Sequence, residues 1–234
     1  MPHNIGGMTI MFIDQYYLML VVPTLILSLW AQFKVKSTFA KYSNVPCSRR
    51  ITGQDAASLL LRANRINDVR IEAVGGSLTD HYDPRSKVVR LSQPVFNQSS
   101  IAAVGVAAHE AGHAIQHAQS WGPLVLRSTL VPVANIGSSL GPWLAIAGLF
   151  IFPPLFTLGI ILFAGAVLFY LITLPVEFNA SARAIAILRG NNVLSERELD
   201  GVKKVLTAAA LTYVASALTA VMSLIRLILL SRRR

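Results

Sequence analysis

From Leu130 to Val176 the chain runs for 47 residues without an Asp, Glu, Lys or Arg. About 20 apolar residues make one helical crossing of a bilayer, so this block is long enough for two. Pro153-Pro154 divides it, and a double proline stops a helix and suits a tight turn. The block therefore reads as a helical hairpin, with spans of about 130–152 and 155–174, that enters and leaves on the same side. A buried pair of core helices is the competing reading, but core helices rarely stay uncharged for so long. Tyr16–Ala31 and Val205–Ile225 are also free of charge. They predict a first span over about 12–31 and a last one over about 205–229.

Composition agrees. Of 234 residues, 53% are hydrophobic and 14% charged, with mean hydropathy +0.54; charged residues in soluble domains run near roughly a quarter. No Lys or Arg precedes the first span and no small-residue cleavage site follows it, so it reads as an anchor rather than a cleaved signal. The formal charge of +10 has a membrane explanation. Seventeen of the 21 basic residues fall in two polar blocks, 32–129 and 177–204. By the positive-inside tendency these blocks face the cytoplasm, in a multi-pass protein of the cell membrane. No aromatic-basic recognition pattern appears, so nucleic acid is not an expected partner; the lipid bilayer is. Arg232-Arg233-Arg234 sits against this rule if the last span crosses fully, unless that segment lies partly in the interface with Arg226 snorkelling. Cys47 is alone, which excludes an intrachain disulfide and a Cys zinc site.

Within the first polar block stands His109-Glu110-Ala111-Gly112-His113. On a helix the two histidines lie one turn apart, about 6 Å along the axis, on one face. Their imidazoles can converge on one Zn²⁺, with Glu110 beside them to accept a proton from water. Ser99-Ser100 can cap such a helix, predicted over about 99–118, and small residues lead into the motif. A chance pair of core histidines is the alternative. His117 is about 12 Å along the axis from His109, too far to share the ion, and reads as a polar helix-end residue. The longer motif that turns the chain with glycine is absent, because position 116 is Gln.

Around the motif, residues 32–50 read as a basic linker. Thr52-Gly53-Gln54-Asp55 opens a helix with Ala56, Leu59, Leu60 and Ala63 on one side. Val69–Val74 alternates like a strand, and 77–82 and 87–92 flank an Asp83-Pro84-Arg85-Ser86 turn as a hairpin. The fold class expected is mainly α: multi-pass membrane helices with a small α+β, zincin-like cytoplasmic domain. The parts are an anchor over 1–31, the α+β part with the motif helix over 32–129, the hairpin over 130–174, a helix and loop over 175–204, and a last membrane helix with a basic tail over 205–234. An α+β part of about 90 residues is too small to bury a large core alone.

Catalytic zinc usually has three protein ligands and one open position. The chain has only 11 carboxylates. Glu177 stands out because the hairpin returns it to the membrane face that holds His109 and His113. A carboxylate beside a span is costly unless paired or metal-bound. Pro175 suits the first turn of a new helix, and Glu177 can equally be a helix-start residue that favours the dipole.

With these residues in view, the chain resembles the membrane-embedded neutral zinc metallopeptidases of the YugP type. The resemblance rests on His109–His113, on Glu177-Phe178-Asn179-Ala180-Ser181 after two apolar spans, and on Leu78–Arg85 followed by Val89–Ser92. It covers about residues 10–230. A more distant similarity runs to integral-membrane proteases that combine H-E-x-x-H with a later E-x-x-A-D; Ser181 stands where those have Asp. The resemblance implies a bacterial multi-pass metalloprotease acting on polypeptides.

The sequence reading is then one Zn²⁺ per chain on His109, His113 and Glu177, with Glu110 as general base and proton shuttle. His81, Tyr82 and Arg183 are candidates for stabilising the oxyanion. Asn179 or Ser181 can orient a ligand from behind, and the 77–92 hairpin offers an edge for an extended substrate. The competing classes are a zinc transporter or sensor, against which the uncharged central block argues, and a pseudoprotease that only binds a partner.

Overall fold

The computed structural model describes residues 14–232. Residues 12–13 of the expected first span and Arg233-Arg234 of the basic tail lie outside the described residues. A short π-helical stretch, Tyr17–Val21, leads into α1 (Val22–Ser43). Then come α2 (Gly53–Ala63), β1 (Arg70–Val74), β2 (His81–Asp83), β3 (Val88–Ser92), the single turn α3 (Gln93–Phe96) and α4 (Ile101–Ala118). Three long helices complete the chain: α5 (Gly122–Phe150), α6 (Pro153–Gly190) and α7 (Glu196–Ser231). The chain is mainly helical. Among the described residues, four helices are long and apolar enough to cross a membrane: Tyr17–Ser43, α5, α6 and α7.

The helices outrun the sequence expectation. Residues 32–43, expected as linker, continue α1, because Gln, Lys and Ala are good helix formers and nothing in 32–43 stops a helix. Pro175, expected to start a helix, lies inside α6. It leaves the Leu171 carbonyl without its usual donor, a loss that membrane helices tolerate where neighbours resatisfy the backbone. Pro132 and Pro142 lie inside α5 in the same way.

The chain divides into two compact units. The polar unit comprises 32–125 and 174–211. Its first helix is fixed by a capping box: the Thr52 hydroxyl accepts from the Asp55 N–H at 3.1 Å, and the Asp55 carboxylate accepts from the Thr52 N–H at 2.9 Å. The sheet has the order β1-β3-β2, with β1 parallel and β2 antiparallel to the central β3. Val88, Val89 and Leu91 of β3 are buried, whereas β1 and β2 are outer strands. Asp83 holds the expected turn by accepting from the Arg85 N–H and the Ser86 hydroxyl, which keeps its carboxyl below the usual range.

The core of this unit joins Leu60, Val89, Leu91, Val104, Ala107, Ala111 and Ile115 to Ala184, Leu188, Leu199 and Val202. The segment 177–206 thus completes a core that 32–129 does not close by itself. Glu198 locks the start of α7: it accepts from the Ser195 N–H and hydroxyl at 2.7 and 2.6 Å, and from the Ser48 N–H at 2.6 Å. The Cys47 N–H donates to the Ser99 carbonyl and the Ile101 N–H to the Val45 carbonyl, which pins the entry to α4.

The apolar unit comprises 14–31, 126–173 and 212–232 of the described residues. Within it α5 and α6 touch backbone to backbone. A Cβ on Gly137 would meet the Leu162 carbonyl oxygen, one on Gly148 the Phe156 N, and one on Gly159 the Ala145 N. Small residues allow this approach where lipid gives no hydrophobic drive between helices. Arg226, expected to snorkel, instead pairs with Asp14: Nε donates at 2.8 Å and Nη2 lies at 2.6 Å, and its guanidinium also sits 5.1 Å over the Tyr17 ring. Both side chains are largely buried, and a buried charge is tolerable only when so partnered.

Gly137→Val drives a branched side chain into the α6 backbone and is expected to destabilise the protein by about 1–3 kcal/mol. Thermal unfolding in detergent checks it, with Gly122→Ala as a control, since no atom lies within 4 Å of a Cβ there. Equal midpoints for the two variants would contradict the packing.

Candidate metal centre

The Ser100 hydroxyl accepts from the Ala103 N–H at 3.2 Å and caps α4, which then runs unbroken through the motif. His109 and His113 consequently share a face, with ring centroids 4.7 Å apart and planes at 83°. On α6, Glu177 faces both: its Oε2 lies 3.3 Å from His109 Nε2 and 3.5 Å from His113 Nε2. Glu177 is 2% exposed, and His113 and Glu110 are each 9% exposed.

The opposite ring nitrogens are held. His109 Nδ1 is 3.0 Å from Ser181 Oγ, one turn beyond Glu177 on the same face of α6. His113 Nδ1 is 3.0 Å from Gln116 Oε1. The Gln116 amide has its orientation fixed, because its Nε2 donates to the Val176 carbonyl at 2.9 Å and to Asn179 Oδ1 at 3.0 Å. A carbonyl can only accept, so Oε1 must face the histidine and accept its Nδ1 proton. In the neutral imidazole Nε2 of His113 then carries the lone pair a metal needs, and in the cation it donates to Glu177. Asn179 Oδ1 also accepts from Arg183 Nε at 2.7 Å, and Arg183 Nη1 donates to Gln119 Oε1 at 2.6 Å.

This donor set fits zinc. Two imidazole nitrogens and one carboxylate oxygen lie within 4.8 Å of one another. A tetrahedral ion with bonds of roughly 2.0–2.1 Å has edges of about 3.3 Å, close to the 3.3 and 3.5 Å observed. The cluster also attracts positive charge. Burial pushes the His113 imidazole towards its neutral form, but the Glu177 hydrogen bond and the charges of Glu110 and Glu177 outweigh it, so its pKa lies above the ordinary value.

Gly112 sets the approach of the two helices. A Cβ there would stand 2.7 Å from the Ala180 carbonyl oxygen, within the α6 backbone. Ala111, Ala180 and Ala184 are fully buried. Gly112 has no side chain because α6 passes directly over it, and Ala111 is small within the buried core.

The other candidates sit elsewhere. His81 is exposed on β2, where its Nδ1 meets the Thr79 carbonyl at 2.8 Å and its Nε2 meets Arg90 Nη1 at 3.4 Å. Tyr82 and His117 share a 2.8 Å hydrogen bond, and burial together with Asp68 and Asp83 pushes the phenol up to about 12. His117 is in the last turn of α4. Arg183 reaches the histidines only through Asn179 and Gln116. Sequence reasoning missed Gln116 as a support. The signal was its place three residues after His113, on the same helix face.

The family described as "Putative neutral zinc metallopeptidase" matches residues 17–232. The "Putative membrane protease YugP" of Bacillus subtilis (strain 168) is 51% identical over 215 residues, which is 92% of this chain and 96% of that protein. No solved structure matches.

Gln116→Leu conserves volume and removes the support of His113. Zinc affinity, measured by competition with a chelator, is expected to fall about 10–100-fold. Gly112→Val is expected to part α4 from α6 and abolish stoichiometric zinc. Full zinc retention by both variants would contradict the geometry.

Proposed function

The chain belongs to the neutral zinc metallopeptidase family, and from that premise we propose that it is a membrane-bound zinc endopeptidase whose single Zn²⁺ is held by His109, His113 and Glu177. The observation that carries the proposal is the placement of two Nε2 atoms 3.3 and 3.5 Å from one buried carboxylate oxygen. His109, His113 and Glu177 would hold the ion, which would supply Lewis-acid chemistry to water and to the scissile carbonyl. Glu110 accepts the proton that water gives up and returns it to the leaving amine as the C–N bond breaks. Its burial at 9% exposure keeps bulk water from competing for that proton. Gln116 holds His113 in the tautomer that presents Nε2, and Ser181 orients the His109 ring through Nδ1. Arg183 is a positioning residue, fixing Asn179 and through it Gln116. His81, hydrogen-bonded to Thr79 and Arg90 on an outer strand, is a candidate for contact with an extended polypeptide and for stabilising the oxyanion. The basic bias of the polar blocks supports a cytoplasmic active site.

Glu110→Gln is expected to keep its zinc while turnover of a quenched peptide library in detergent drops by about 10²–10⁴-fold; parental activity would remove the general base. Glu177→Ala is expected to lose zinc, and full occupancy by elemental analysis would refute the ligand. For sidedness, an impermeant thiol reagent added to intact cells should leave Asn191→Cys unlabelled. Labelling would reverse the orientation.

A further inference from the structure

The polar unit holds a second feature that the peptidase chemistry does not use. A cavity of about 450 Å³ opens between the end of α1 and the start of α7, within the roughly 300–1,000 Å³ of small-molecule sites. Lys34, Lys41, Lys203 and Lys204 line it. Among the described residues none of these four makes an ion pair with a carboxylate. Lys41 Nζ lies 5.6 Å from the Tyr42 ring centroid, and that ring closes against Gly201, where a Cβ would stand 2.9 Å from Tyr42 Cε1. Thr38 and Thr207 add hydroxyls, and Asp200 adds one negative charge against the four positive ones.

We propose that this cavity binds the phosphate headgroup of an anionic phospholipid. Its place in the chain selects a lipid over a soluble anion. Lys34 directly follows the charge-free run that ends at Phe33, and Lys203-Lys204 directly precede the run that begins at Val205. Lys34, Lys203 and Lys204 therefore stand where both helices pass from apolar to polar sequence, the level at which lipid phosphates lie, with Lys41 about two turns further along α1. Ala208 and Leu211, on the apolar side of the same cavity, suit the start of an acyl chain. A positive-inside signal needs lysines only in the polar block; it does not need them gathered round one cavity with threonine hydroxyls.

The test is native mass spectrometry of the full-length protein in detergent, titrated with cardiolipin, phosphatidylglycerol or phosphatidylcholine. The two anionic lipids should be retained and phosphatidylcholine lost. Each lysine near an anionic headgroup is worth about fivefold in affinity, so the Lys203→Gln/Lys204→Gln variant should bind cardiolipin roughly 25-fold more weakly. Asp200→Asn, which removes an exposed acid and leaves the packing intact, should bind it several-fold more tightly. Millimolar inorganic phosphate should not displace the lipid. Equal retention of all three lipids, parental affinity in the double variant, unchanged or weaker affinity in Asp200→Asn, or displacement by phosphate alone would each overturn the proposal.

Discussion

The contact between Gly112 and the Ala180 carbonyl governs the candidate centre. With no side chain at 112, the α6 backbone lies directly against the motif helix, at a distance any Cβ would violate. Each helix then presents a pair of residues one turn apart: His109 and His113 on α4, Glu177 and Ser181 on α6. Interleaving these pairs puts Glu177 between the two Nε2 atoms and Ser181 behind His109. His113 takes its support from its own helix, through Gln116, whose amide is in turn tied to Val176 and Asn179. The site is therefore the product of one helix–helix crossing and not of loops, which suits a constellation that must hold its geometry to a fraction of an ångström.

That arrangement links membrane architecture to chemistry through covalent continuity. The helix that packs Gly159 and Leu162 against α5 in the apolar unit is the same one that carries Glu177 fifteen residues beyond Leu162. Its later residues, Ala184 and Leu188, enter the core of the polar unit together with Leu199 and Val202 of α7. The core of the polar unit is thus shared between 32–129 and the segment 177–206. Cutting the chain before 174 would remove Glu177 and open the core at once.

Much of this was legible in the sequence. Charge-free runs marked four long apolar helices, because no charged residue is tolerated at low cost in hydrocarbon. The i, i+4 spacing of His109 and His113 fixed their shared face, and the parity of a two-span hairpin brought Glu177 back to them. The Asp83–Ser86 turn and the strand after it also followed from local chemistry, as did the Ser100 cap and the helix start at Thr52, whereas of the expected strand 77–82 only 81–82 pairs. What was not legible came partly from helix continuity and partly from tertiary partners. Pro175 reads locally as a helix start, yet the helix passes through it. Residues 32–43 read as linker by charge, yet helix propensity and continuity with α1 prevail. Arg226 reads as a snorkelling cation, but a carboxylate 212 residues earlier meets it. Gln116 reads as a departure from a longer zinc motif, and only the fold reveals that its amide has both a histidine and a carbonyl to satisfy.

The central claim is a zinc ion bound by two imidazoles and one carboxylate across the α4–α6 crossing. X-ray absorption at the zinc edge of the purified protein addresses the ligand shell directly. The account predicts nitrogen and oxygen neighbours at about 2.0–2.1 Å, with multiple-scattering features of two histidines and no sulfur. A shell with three imidazoles, or a spectrum that Ser181→Ala perturbs more than Glu177→Gln does, would contradict it.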